Sequence, residues 1–240
     1  MTYDTNRHTI RPALRRAARA VALAAALFLP AAVLAAPAQA ASSCTVNGVP
    51  VTSTVIRGTE AADTIECSSG VAADTLVEAL GGDDTITLAG IVAGRVRGGD
   101  GADRSTLTSG ELTGDLDGQM GRDVFEVRGP VKGNIRGGQD DDDIHLYGNA
   151  PVGPAADVRG AKGADKITLD VGADVDGLVE GNDERDEIRV LGTVNPSGKV
   201  HGNAGPDFIR VHINRGIVDP RPGPGDDCMV DVGNPCVPES

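Results

Sequence analysis

Gly98-Gly99-Asp100-Gly101-Ala102-Asp103-Arg104-Ser105-Thr106-Leu107 is the stretch on which the reading of the chain turns. Its three glycines allow tight left-handed turns and close backbone approach. Asp103 then sets a hard carboxylate oxygen into a concave loop, the donor type that suits a hard divalent cation. After Asp103 the residues begin to alternate, as in a short strand with one face in and one face out. Turn and strand form one unit.

That unit recurs along the chain. Aspartates in the same register stand at Asp63, Asp84, Asp103, Asp123, Asp142, Asp165, Asp186 and Asp207, with Asp227 as a looser ninth, at separations of 19 to 23 residues. Five residues before each of the first eight lies a glycine, or Ala79 in the second copy. Two residues further back is an aliphatic, such as Val96, Leu116 or Ile135. Positions two and four after the aspartate are mostly apolar, as in Ile86/Leu88 and Ile144/Leu146. The nine residues that end on each aspartate keep their length, so the spacing varies only in the other half of the unit, as around Pro151 and Pro154.

Self-similarity at this period marks a solenoid. Each coil of about 20 residues is expected to hold two short strands and two turns, one rigid and Asp-bearing, one variable. No single coil buries its aliphatics alone, so neighbours stack in parallel and share them. The expected fold is an all-β, right-handed parallel β-helix or β-roll-like solenoid of eight to nine coils, a rod on the order of 43 Å long at ~4.8 Å per coil. Residues 41–57 form an N-terminal cap, 58–217 the repeats, and 218–240 a last irregular coil with a C-terminal cap.

Residues 1–40 read as a removed signal peptide: arginines at 7, 11, 15, 16 and 19, an apolar run over 21–34, and a cleavage site near Ala40 in Ala38-Gln39-Ala40. Secretion is therefore expected, with no membrane span after cleavage. The whole chain carries −13. The first 40 residues hold five arginines and one aspartate, so the remainder stands near −17. Such a surface disfavours nucleic acid and anionic membranes as partners. Cys44 and Cys67 lie near one end, Cys228 and Cys236 near the other. Four cysteines allow three pairings, and Cys44–Cys67 with Cys228–Cys236 is the economical one in an oxidising compartment. Such staples would sit where a solenoid needs capping.

The loops resemble the glycine- and aspartate-rich nonapeptide G-G-x-G-x-D-x-U-x, U being aliphatic, of hemolysin-type (RTX) calcium-binding proteins. The stretch 98–106 departs at one position, Ser105, and Gly82-Asp83-Asp84-Thr85-Ile86 and Gly225-Asp226-Asp227-Cys228-Met229 match the later half. The likeness spans roughly residues 54–230. It implies calcium as the cofactor. The ligand-bearing loops would be Gly81-Asp83-Asp84, Gly98-Asp100-Asp103 and Gly137-Asp141-Asp142, joined by the register aspartates Asp63, Asp123, Asp165, Asp186, Asp207 and Asp227. In that family two nonapeptides make one coil; here only every second one survives, so ions are expected along one side at most. Arg122, Lys162 and Arg185 also intrude into the loops.

Carboxylates stacked at ~4.8 Å repel by roughly 0.9 kcal/mol per neighbouring pair in water and about 3.5 kcal/mol at an effective dielectric of 20. Two arrangements relieve this. Either a divalent ion sits between successive carboxylates, or each carboxylate accepts N–H bonds from the turns.

An enzyme is disfavoured, since His145, His201 and His212 have no partner motif nearby and no nucleophile or phosphate-loop pattern appears. A polysaccharide-acting β-helix ranks last among the alternatives. The expected function is a secreted, non-enzymatic calcium-binding repeat protein. The alternative is a metal-independent cell-surface or matrix adhesin, with cell-envelope or extracellular-matrix partners.

Overall fold

A computed structural model describes residues 42–221 and 225–237, and within them the chain is an all-β solenoid. The signal-peptide reading and its cleavage point near Ala40 lie outside the described residues. Among the described residues no helix is long and apolar enough to cross a membrane. Two sheets line the coils. The first has eleven strands and the second nine, with sequence-adjacent strands alternating between them through most of the chain.

Alternation builds both sheets. In the first, Ile86, Ile144, Ile167 and Ile188 point inward together with Leu88, Leu146, Leu169 and Val190, all wholly buried. In the second, the aliphatics that precede the turns stack in register, Ile135 on Val158 on Val179 on Val200. The strands of neighbouring coils are parallel, as sharing of an aliphatic ladder requires.

Each coil has a third side that the two-strand expectation missed. Single-residue parallel bridges join Leu112 to Val131, Val152, Val175 and Val194 in succession, and Val71 bridges to Val92. These residues are buried and add a third aliphatic ladder to the core. They lie in the half of the unit whose length varies, which hid their period. At the end of that ladder Asn214 takes the place of the aliphatic beside Val194. Its amide donates to the Asn234 carbonyl and its Oδ1 accepts from the Gly216 N–H, so the buried polar group is satisfied.

The ends differ from the coils. At the N-terminal end the strands Ser42–Val46 and Val49–Ser53 form an antiparallel hairpin, and the inner one pairs antiparallel with the first coil. Cys44–Cys67 ties the hairpin down. At the other end Cys228–Cys236 closes the last coil. There the Asn234 and Val237 N–H groups bond the Asn214 and Val218 carbonyls. Both cysteine pairs stand as the spacing proposed.

Candidate functional site: a buried aspartate row

The register aspartates are brought together in one row, but inside the wall. Asp63, Asp84, Asp103, Asp123, Asp142, Asp165, Asp186 and Asp207 are each only 1–3 % exposed. Each from Asp84 onward accepts, on Oδ1, the backbone N–H of the aspartate one coil earlier, from Asp63 N–H to Asp84 through Asp186 N–H to Asp207, at 2.7–2.9 Å. The Asp207 N–H is met by Asp226. The ninth member is therefore Asp226, not Asp227. Asp227 lies one place on, where it pairs with Phe208 in the strand register.

The glycine five residues before the aspartate has its reason here. A Cβ built on Gly118 would lie 2.0 Å from Asp123 Oδ2 and 2.4 Å from the Gly137 carbonyl oxygen. On Gly98 the corresponding distances are 2.2 Å to Asp103 Oδ2 and 2.8 Å to the Gly118 carbonyl. The carboxylate and the carbonyl of the next coil press on the same glycine Cα, leaving no room for a side chain.

Oδ2 is where the row is incomplete. Among the described residues, Oδ2 of Asp84, Asp103, Asp123, Asp142, Asp165, Asp186 and Asp207 is buried without a hydrogen-bond partner. A bare buried carboxylate oxygen is costly. Burial pushes Asp123, Asp142 and Asp186 up to about 8, against the downward pull of the N–H each accepts and with neighbouring aspartates adding to the rise. Burial likewise raises Asp84 and Asp165 to about 6, and it raises Asp103 and Asp207.

Asp63 is the exception. Its Oδ2 accepts from the Thr59 N–H and from the Thr59 hydroxyl, and its Oδ1 accepts from the Asn47 amide. Burial pushes its pKa up, but these bonds outweigh it and hold the group below its ordinary value. Asn47 and Thr59 were not among the sequence candidates. An Asn-Gly turn beside the first coil was the only signal they carried.

The remaining candidates form an outer tier. Asp83 and Asp141 accept the N–H groups of Ala102 and Ala164 in the next coil, at 2.9 and 3.0 Å. Arg122 stands 3.9 Å from the Asp141 carboxylate. Asp100 is exposed, and its carbonyl accepts the Gly82 N–H. Gly81 is buried at the end of its strand, and Gly137 lies against Asp142 Oδ2. Among the described residues no three His, Cys, Asp or Glu side chains converge as a metal-binding group. Any cation on the row would therefore depend on main-chain carbonyls for further ligands.

No family model, no curated protein and no solved structure matches the chain.

Proposed function

We propose that this chain is a secreted, non-enzymatic repeat protein whose aspartate row takes calcium. One observation carries the reading: among the described residues seven buried Oδ2 atoms lack a partner, and in coils such as those of Gly98, Gly118 and Gly137 each presses on the same glycine as a carbonyl oxygen of the next coil. A bare buried carboxylate oxygen set beside a carbonyl oxygen calls for positive charge. The donor set, carboxylate and main-chain carbonyl oxygens, is the kind calcium selects. A divalent cation would supply the charge the row lacks. The protein's part is to present Asp103, Asp123, Asp142, Asp165, Asp186 and Asp207 at a fixed repeat, with their Oδ1 atoms held by N–H groups so that only Oδ2 is open to an ion. Folding and ion uptake are then linked, and calcium raises stability by mass action.

The experiment is a thermal melt of residues 41–240 at pH 8.5, with calcium titrated against EDTA. The expected outcome is a rise in melting temperature that saturates with calcium and is reduced in Asp103→Asn. An unchanged melt across the titration overturns the calcium reading. A second reading, a metal-independent surface or matrix solenoid, is favoured by the eight N–H···Oδ1 bonds, which link every coil without an ion. It requires the row to stay protonated at neutral pH. Loss of calcium response together with high stability at pH 7 would support it.

A further inference from the structure

The outer face of the second sheet carries a column of charges, one per coil. In strand register it runs Arg57, Glu78, Arg97, Asp117, Arg136, Arg159, Glu180, His201, Asp219. Four arginines stand against four carboxylates, so with His201 neutral the column sums to zero on a chain of net −13. Within the chain, Arg57 and Arg97 both reach Glu78, at 3.0 and 3.3 Å, and Arg159 reaches Glu180 at 3.2 Å. Arg136 is exposed, has Arg159 beside it in register, and makes no ion pair among the described residues.

The order of signs has a property that in-chain pairing does not require. Reversed about Arg136, three pairs of opposite sign form: Arg57 with Asp219, Arg97 with Glu180, and Asp117 with Arg159. Glu78 comes opposite His201, which is itself buried, with an Arg221 guanidinium nitrogen 3.2 Å from its Nδ1. Only Arg136 meets itself. A twofold axis along the strand direction at Arg136, lying in the face, performs this reversal on a second copy and sets the two rods antiparallel. Such an interface is isologous, with each pair occurring twice.

The first sheet does not share the property. The same reversal about Asp143–Leu146, the middle of its nine parallel strands, puts Asp143 on Asp143, Val124 against Lys166 and Glu126 against Thr168. In the second column of the second sheet, Val55 and Ile217, both exposed, come together at the ends. Asp115 and Asp157 face each other, each already covered by an arginine of its own chain, Arg95 and Arg159.

We infer that the charged face of the second sheet is a docking surface for a second copy of this chain, antiparallel and centred on Arg136. The face measures roughly 40 Å by 13 Å, about 500 Å² per copy, at the low end for specific pairs. Because the attraction is between partly exposed charges, it is screened by salt.

The test is sedimentation velocity on residues 41–240 in EDTA, which keeps the outcome independent of the calcium reading. At 20 mM salt a concentration-dependent dimer is expected, dissociating by 500 mM. Arg97→Glu weakens the dimer roughly tenfold, since it sets a glutamate against Glu180 at both symmetry-related places. Adding Glu180→Arg restores dimerisation while lowering the melting temperature of the monomer, because the swap repairs the pairing between copies and worsens the one within each copy. Arg136→Ser tightens the dimer by removing the like charge on the axis. A monomer at low salt, or a dimer indifferent to salt and to Arg97→Glu, overturns the inference.

Discussion

Asp63, in the first coil, has both carboxylate oxygens bonded, whereas Asp142, four coils on, has one bonded and one bare. They occupy the same place in the repeat, yet Asp63 is held below its ordinary pKa and Asp142 is pushed up to about 8. The difference lies in the backbone four residues earlier. At Leu80, Gly99, Gln119, Gly138, Ala161, Asn182 and Asn203 that residue is left-handed, with φ between 76° and 132°. Thr59 is not among the positive-φ residues, and its N–H turns in to Oδ2. In the other seven coils the residue joins the strand pairing between coils, as Leu80 does with Gly99 and Gln119 with Gly138, and Oδ2 is left bare. Regular stacking and a closed carboxylate turn compete for the same peptide. The repeat interior settles for stacking.

The largest expected effect separates the two kinds of aspartate by pH. A carboxyl whose folded pKa is raised contributes stability below its unfolded value, near 3.8, and loses it as pH climbs through the folded value. For the interior row that loss accumulates from the unfolded value up to about pH 6 for Asp84 and about pH 8 for Asp142 and Asp186. In EDTA the melting temperature should therefore fall by roughly 10 °C from pH 5 to pH 9, and calcium should recover most at the alkaline end. Asp63 has the opposite sign: its contribution is present above pH 3.8 and fades only under stronger acid. A melt that is flat from pH 5 to 9 in EDTA would mean the interior carboxyls titrate normally.

Next in size is Asp142→Ala, which strands the Asp123 N–H without an acceptor. Urea unfolding should show a loss of about 2–3 kcal/mol. Replacing single aspartates by asparagine sharpens the contrast further. Asp142→Asn keeps an acceptor for Asp123 and removes the bare charge, so at pH 8.5 in EDTA it should stabilise by about 1 kcal/mol. Asp63→Asn should destabilise by a similar amount, since an amide cannot accept at both ends from Asn47 and Thr59. Equal signs for the two would break the comparison. The smallest effect belongs to Ala161→Gly, which relieves a left-handed alanine with φ of 97° and should gain about 0.5–1 kcal/mol in the same unfolding assay.

Much of this architecture was legible in the residues. The fixed spacing on either side of each aspartate located both aliphatic columns that face the core, as Ile135 and Ile144 illustrate, and it located the row itself. What the spacing did not disclose is where the oxygens of Asp103 or Asp123 go, because a turn aspartate can close on its own loop, on its neighbour or on an ion with the same periodicity. The third ladder through Val131, Val152 and Val175 escaped because insertions such as the one at Pro151 and Pro154 blur its interval. Asp226 lost its place to Asp227 because a proline- and glycine-rich stretch precedes the pair and shifts the count. The sign pattern of Arg57 to Asp219 emerges only once the strands set those residues side by side.

Every N–H···Oδ1 bond in the row runs the same way, each winding donating to its successor, with the Asn47 amide at the head and the Asp226 carboxylate at the tail. The molecule thus behaves as a chain of identical links closed by two different clasps. Excising one whole winding from the middle leaves every link filled and yields a shorter rod. Trimming the tail strands a donor, and trimming the head takes away the clasp that completes the first link. Length is the property that evolution, or an engineer, can change most freely here, in steps of one winding.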